Sequence, residues 1–130
     1  MNYDEINENI LGMLHYLKER PGMHFGEKAP SYKTYDTYLS GVLYGLQLCH
    51  GHYLYLSGKM ILWFTQKRGE NNYFQGVSSQ IEHIYQDKTE EERIKILLDT
   101  VADFFRENPD WYLEQESEKF LSFFNKEILE

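Results

Sequence analysis

The residues of this chain best suited to chemistry are Cys49-His50-Gly51-His52, three metal-ligand or nucleophile side chains within four positions. A zinc-type site needs three or four such groups converging at fixed distances. No C-x-x-C, no H-E-x-x-H and no second Cys/His cluster accompanies them; His83, beside Glu82, could join only through the fold. Cys49 beside His50 or His52 is the one thiol–imidazole pairing visible in sequence. The helical spacing puts Cys49 on an inward, apolar face, where a thiol keeps its proton and stays inert. Gly-rich phosphate loops and nucleophile elbows are absent. The expectation is therefore no catalytic residue, no metal and no cofactor. The alternative is a small metal-binding or enzymatic domain that uses His50 and His52.

Recognition chemistry is better represented. Six of eleven tyrosines fall within Tyr32, Tyr35, Tyr38, Tyr44, Tyr53 and Tyr55. Not all of them fit one small core with every hydroxyl satisfied. Surface tyrosine offers a large contact area at low entropic cost, as in binding hot spots. Tyr32, Tyr35, Tyr38, Tyr53 and Tyr55 are thus candidate partner contacts. The alternative is that these rings stack in the core and turn their hydroxyls to water. Charge supplies a second candidate. The formal net charge is −8, and residues 87–130 carry 13 acids against 6 bases. Phosphate backbones and anionic membranes would be repelled, whereas a basic protein would be attracted. Glu114, Glu116 and Glu118 mark the densest acidic stretch. Solvated helix faces are the plainer account of such a run.

The elements that must position these groups read as helices. Ile6, Ile10, Met13, Leu14 and Leu17 follow a 3.6-residue period. The helix they define stops near Glu19, because proline disfavours the α conformation in the residue before it. Arg20-Pro21-Gly22-Met23-His24-Phe25-Gly26 then forms a shaped connector. Pro21-Gly22 suits the centre of a type II turn, which predicts φ > 0 at Gly22, and Gly26 allows a further backbone conformation closed to most residues. Ser31 caps a second helix, roughly 31–50, which carries no charge after Asp36 and is apolar nearly all round. That pattern predicts a buried central helix, with Gly41 and Gly45 leaving a flat stripe for a neighbour. Residues 53–64 fit either a short β-hairpin or a helix capped by Ser57, and Lys67-Arg68-Gly69 favours the helix. Val77, Ile81, Ile84 and Tyr85 mark a short helix. Thr89 and Glu92 form a capping box ahead of Ile94, Leu97, Leu98, Val101, Phe104 and Phe105. Asn108-Pro109 ends that helix, and Asp110 caps a last one with Leu113, Phe120, Leu121, Phe124 and Ile128 inward. The expectation is one all-α domain, residues 1–130, of about six helices around the helix at 31–50.

The Arg20-Pro21-Gly22-Met23 string has two family echoes. One is the K-R-P-G-M-Y-I-G string of type II topoisomerase ATPase subunits, but the nucleotide-binding carboxylate and the D-x-G-x-G that should follow are missing here. The chain more closely resembles small bacterial proteins with R-P-G-M-Y-L-G near the N-terminus. It is similar in Arg20-Pro21-Gly22-Met23, Phe25-Gly26, Tyr38-Leu39-Ser40-Gly41, Trp63-Phe64 and Glu91 through Phe104-Phe105, over roughly residues 18–107. His24 replaces the usual Tyr, and Phe74 stands where a Trp would open a helix. The resemblance implies an immunity protein of a bacterial toxin system and transfers no catalytic residue.

One cysteine excludes an internal disulfide, and Met1-Asn2-Tyr3-Asp4-Glu5 lacks the basic start of a signal peptide. No apolar run approaches the roughly 18 residues of a spanning helix. The sequence thus predicts a cytoplasmic protein-binding module with a basic protein partner, no nucleic acid and no membrane. A homodimeric structural subunit is the third possibility.

Overall fold

The computed structural model describes residues 2–50, 55–69 and 76–113. Among them the chain forms six helices and no strand. None of these helices is long and apolar enough to cross a membrane. Helix α1 spans Tyr3–Glu19. The Asn2 side chain accepts from the Glu5 amide, and Asp4 and Glu5 sit at the positive end. Its buried stripe is Asn7, Ile10, Leu14 and Leu17, with Ile6 and Met13 packed beside it.

The connector after α1 differs from the type II turn predicted for it. Pro21–Phe25 is a short helix, α2, with Pro21 in its first turn. Proline belongs there because its missing N–H would have had no helical partner. Gly22 is helical, and the left-handed residue is Gly26, the C-cap, at φ 68°. The Gly26 amide donates to the Gly22 carbonyl at 3.0 Å. Gly22 is needed for a different reason: a Cβ there would lie 3.0 Å from the Glu27 carbonyl oxygen. Arg20 is the N-cap of α2, and exposed Met23 lies against its guanidinium.

Glycine substitutions should separate these effects. Gly26→Ala meets no neighbouring atom, so its cost is purely conformational, about 1–2 kcal/mol. Gly26→Asn should recover part of it, since Asn tolerates the left-handed region. Gly22→Ala should destabilise through contact with the Glu27 backbone, and Gly22→Asn should give no recovery. Urea denaturation of these variants beside wild type reads both patterns.

Helix α3, Tyr32–Cys49, begins at Ser31, whose hydroxyl accepts from the Thr34 amide. Helix α4, Leu56–Lys67, starts with Tyr55 as its cap, so Ser57 lies inside the first turn and the hairpin alternative fails over 56–67. Gly69 follows the helix at φ 74°, as the basic last turn and the Gly stop suggest. Helix α5 is Val77–Ile84, and α6 is Glu90–Glu107 with the Thr89/Glu92 capping box complete. After α6 the chain turns through Asn108 to Leu113, so no helix starts at Asp110 within the described residues. Phe120, Leu121, Phe124 and Ile128 lie outside them.

The helix at the centre is α6, not α3. It packs on α1, α3, α4 and α5 and buries Leu97, Leu98, Val101, Ala102, Phe104 and Phe105. Helix α3 buries only Tyr32, Tyr35 and Leu39, all in its first half. Its outer side reads as core by periodicity because no charged residue after Asp36 marks it as solvent-facing.

Candidate functional site

The predicted tyrosine contacts divide. Tyr32 and Tyr35 belong to the core and cannot form a contact surface. The Tyr32 hydroxyl donates to the Ser78 carbonyl at 2.7 Å, pinning α3 to α5. Burial, with the carboxylates of Glu82 and Asp36 adding to it, pushes this phenol far above its ordinary pKa. Tyr35 packs edge-on against Phe25, 5.1 Å between centroids, and burial raises its pKa as well. Tyr38 is half-buried, with its hydroxyl 3.7 Å from Met13 Sδ and its ring edge-on to His24 and Phe25. Tyr55 is exposed at the start of α4. Tyr53, Glu114, Glu116 and Glu118 lie outside the described residues.

A face that the sequence assigned to the interior is instead open. Thr37, Gly41, Tyr44 and Leu48 recur along α3 at helical spacing, and all four are exposed. Tyr44 is 59% exposed and Leu48 62%, while Cβ atoms placed on Gly41 and Gly45 would meet nothing within 4 Å. Cys49 is also exposed, contrary to its predicted inward placement, because α3 is buried only in its first half and Cys49 is its last residue. Between Asp36 and His50 this helix carries no charged side chain. Such a face offers apolar area and an accessible backbone ridge with no charge to desolvate.

At the end of α3, His50 serves a structural pin. Its Nδ1 lies 2.8 Å from the Tyr3 hydroxyl, and its ring is perpendicular to that of Trp111 at 5.1 Å. Tyr3 stacks on Tyr112 with centroids 3.6 Å apart. Burial lowers the His50 pKa, favouring the neutral ring that can accept from Tyr3. Among the described residues, no three His, Cys, Asp or Glu groups come together as a metal site. His52 lies outside them.

Three residues that organise this end went unnoticed in the sequence. Trp111 is 1% exposed, and its Nε1 donates to Asn7 Oδ1 at 2.7 Å. Asn7 Nδ2 in turn donates to the Pro109 carbonyl at 3.2 Å. Lys59, 9% exposed, donates from Nζ to the Trp111 carbonyl at 2.7 Å. For Asn7 a signal existed: it sits three residues before Ile10 on the same apolar stripe, a polar side chain where the pattern demands burial. The chain matches no family model, no curated protein and no solved structure.

Proposed function

We propose that this chain is a protein-binding module whose contact face is the outer side of α3 and whose partner is a basic protein. The observation that carries the reading is the pair Tyr44 and Leu48, one turn apart and both well over half exposed beside the bare Gly41–Gly45 ridge. An aromatic and an aliphatic residue on an uncharged helix face supply the desolvated centre that a hot spot needs. A face of this kind is stabilised by being covered. Glycines at 41 and 45 let a partner's backbone or side chains approach α3 closely. The net charge of −8 would steer a cationic partner toward the chain and raise its association rate by roughly 10- to 1,000-fold at low salt. An immunity protein that masks a basic bacterial toxin, as the resemblance implies, combines these two features. Neither catalysis nor a cofactor enters this reading.

The test is capture of the partner from the native cell, followed by binding kinetics at two salt concentrations. Tyr44→Ala with Leu48→Ala should weaken binding at least about 100-fold, chiefly through faster dissociation, at about 2 kcal/mol or more for a hot-spot residue. Replacing Glu114, Glu116 and Glu118 by Gln should slow association and flatten its salt dependence. An acidic partner would defeat the charge argument, and undiminished binding by the Tyr44/Leu48 variant would remove the face. A second copy of the chain could also cover α3. In that case the purified protein would sediment as a dimer and Leu48→Arg would make it a monomer.

A further inference from the structure

Three parts of the fold meet at one imidazole. His50 is the C-cap of α3. Its Nδ1 lies 2.8 Å from the hydroxyl of Tyr3, the first residue of α1, and its ring meets Trp111 of the 108–113 turn edge-on. Tyr3 in turn stacks on Tyr112. His50 thus joins the end of α3 to the start of α1 and to the chain that follows α6. It is also the side chain type whose charge changes nearest neutrality.

The two ring nitrogens are placed differently. Nδ1 has the Tyr3 hydroxyl, whereas Nε2 is buried and has no hydrogen-bond partner among the described residues. A neutral imidazole carries one N–H and one lone pair. With the proton on Nε2, Nδ1 accepts from Tyr3, and the cost is one neutral donor without its hydration. A second proton changes both sides of the ring. Nδ1 becomes a donor, so the Tyr3 hydroxyl must turn to accept, and a full charge is buried beside the unpartnered Nε2. No charge among the described residues is placed to offset it. Helix α3 carries none between Asp36 and His50. Asp4 and Glu5 on α1 and Asp110 in the turn are exposed. At the end of α6, Arg106 and Glu107 are exposed and pair with Asp103 and Lys67. Lys59 of α4, bonded to the Trp111 carbonyl at 2.7 Å, brings a charge of the wrong sign. The phenols of Tyr3, Tyr55 and Tyr112 are neutral in the range where an imidazole titrates.

We infer that this junction is an acid-sensitive clasp: a second proton on the His50 imidazole releases the end of α3 from the start of α1 and from the 108–113 turn. Burial holds the His50 pKa below its ordinary value of 6.5. The neutral ring therefore contributes its full stability above 6.5, and the contribution is lost as the pH falls from 6.5 through the lower folded value. The buried stripes of α1 and α6 lie outside the clasp and stay packed. The clasp stands apart from the reading of the α3 face, and either can fail without the other.

The experiment takes the whole chain from about pH 7.5 to about pH 5, the span in which an imidazole changes charge, and follows it by NMR. The His50 ring nitrogens should titrate below 6.5. The Nε1–H signal of Trp111 should weaken over the same range, and that of Trp63 should not. Hydrogen-exchange protection of the His50 and Trp111 amides, corrected for the intrinsic effect of pH, should fall by up to about tenfold per pH unit, the limit for one proton. Protection at Leu98 and Val101 in α6 should hold. His50→Gln, neutral at every pH, should keep the Trp111 signals constant across the range. A His50 pKa at or above 6.5 would overturn the inference, as would a Trp111 signal and amide protection that do not change with the His50 titration. These two readings come from the wild-type chain and decide the matter even where the variant does not fold. The same acid response in folded His50→Gln would overturn it as well.

Discussion

Trp111→Ala should destabilise the chain by about 3–5 kcal/mol, the range for removing a large buried ring. The native stability of such a domain is only about 5–15 kcal/mol. The variant should therefore unfold at far lower urea concentration than wild type. The ring is fully enclosed by Tyr3, His50, Phe105 and Tyr112, each edge-on or nearly so. Truncation removes these contacts together and leaves the Asn7 amide oxygen without its indole donor. Two conservative variants divide the cost. Trp111→Phe keeps an aromatic ring and loses the donor, while Asn7→Ala loses the acceptor and the tie to Pro109. The two should be coupled, with the double variant losing less than the sum of the singles by about 0.5–3 kcal/mol. Strict additivity in urea unfolding would mean that the 2.7 Å contact adds nothing beyond packing.

The importance of Trp111 also shows where sequence reasoning ends. Helices with one apolar stripe were legible almost to the residue. In α1 the stripe predicts Ile10, Leu14 and Leu17 as core, and in α6 the capping box and the Leu97 to Phe105 pattern predict both the start and the buried face. A local cue decided each of these. Helix α3 lacked such a cue. Its apolar and small residues go round the cylinder, so composition could not separate a buried helix from a half-buried one with an uncovered face. Only the positions of α4 and α6 make that distinction, and those are set by long-range packing. Tyr32 and Tyr35 failed as contacts for the same reason: tyrosine is at home both in cores and on surfaces, and the Ser78 carbonyl that receives the Tyr32 hydroxyl is far along the chain. The turn was misjudged more narrowly. Pro-Gly satisfies both a type II turn and a helical first turn, and the left-handed residue proved to be the other glycine, Gly26. His50 and Trp111 meet across a long stretch of sequence, a contact that no local pattern announces.

Lys59 supports the remaining large prediction. Its ammonium is buried against the turn after α6, donating to the Trp111 carbonyl at 2.7 Å and the Leu113 carbonyl at 3.5 Å. Burying a cation is costly, and an apolar replacement of similar shape can be neutral or even stabilising where a whole ion pair is removed. Here the acceptors stay behind. Lys59→Met keeps most of the stem but leaves backbone carbonyls of an irregular segment without this donor. The expected loss is about 2–3 kcal/mol, the worth of a hydrogen bond to a charged group plus the desolvation it had offset. The effect should also be local. With Trp63 replaced by Phe, Trp111 becomes the sole indole of the chain, and its emission should shift to the red in Lys59→Met at urea concentrations below global unfolding. Lys59→Arg should retain the donor and suppress that shift even if its bulk lowers stability. A Lys59→Met protein as stable as wild type, with unshifted emission, would show that the ammonium is merely tolerated. The 108–113 turn would then be held by its other contacts, the Trp111–Asn7 hydrogen bond and the stacking of Tyr112 on Tyr3 among them.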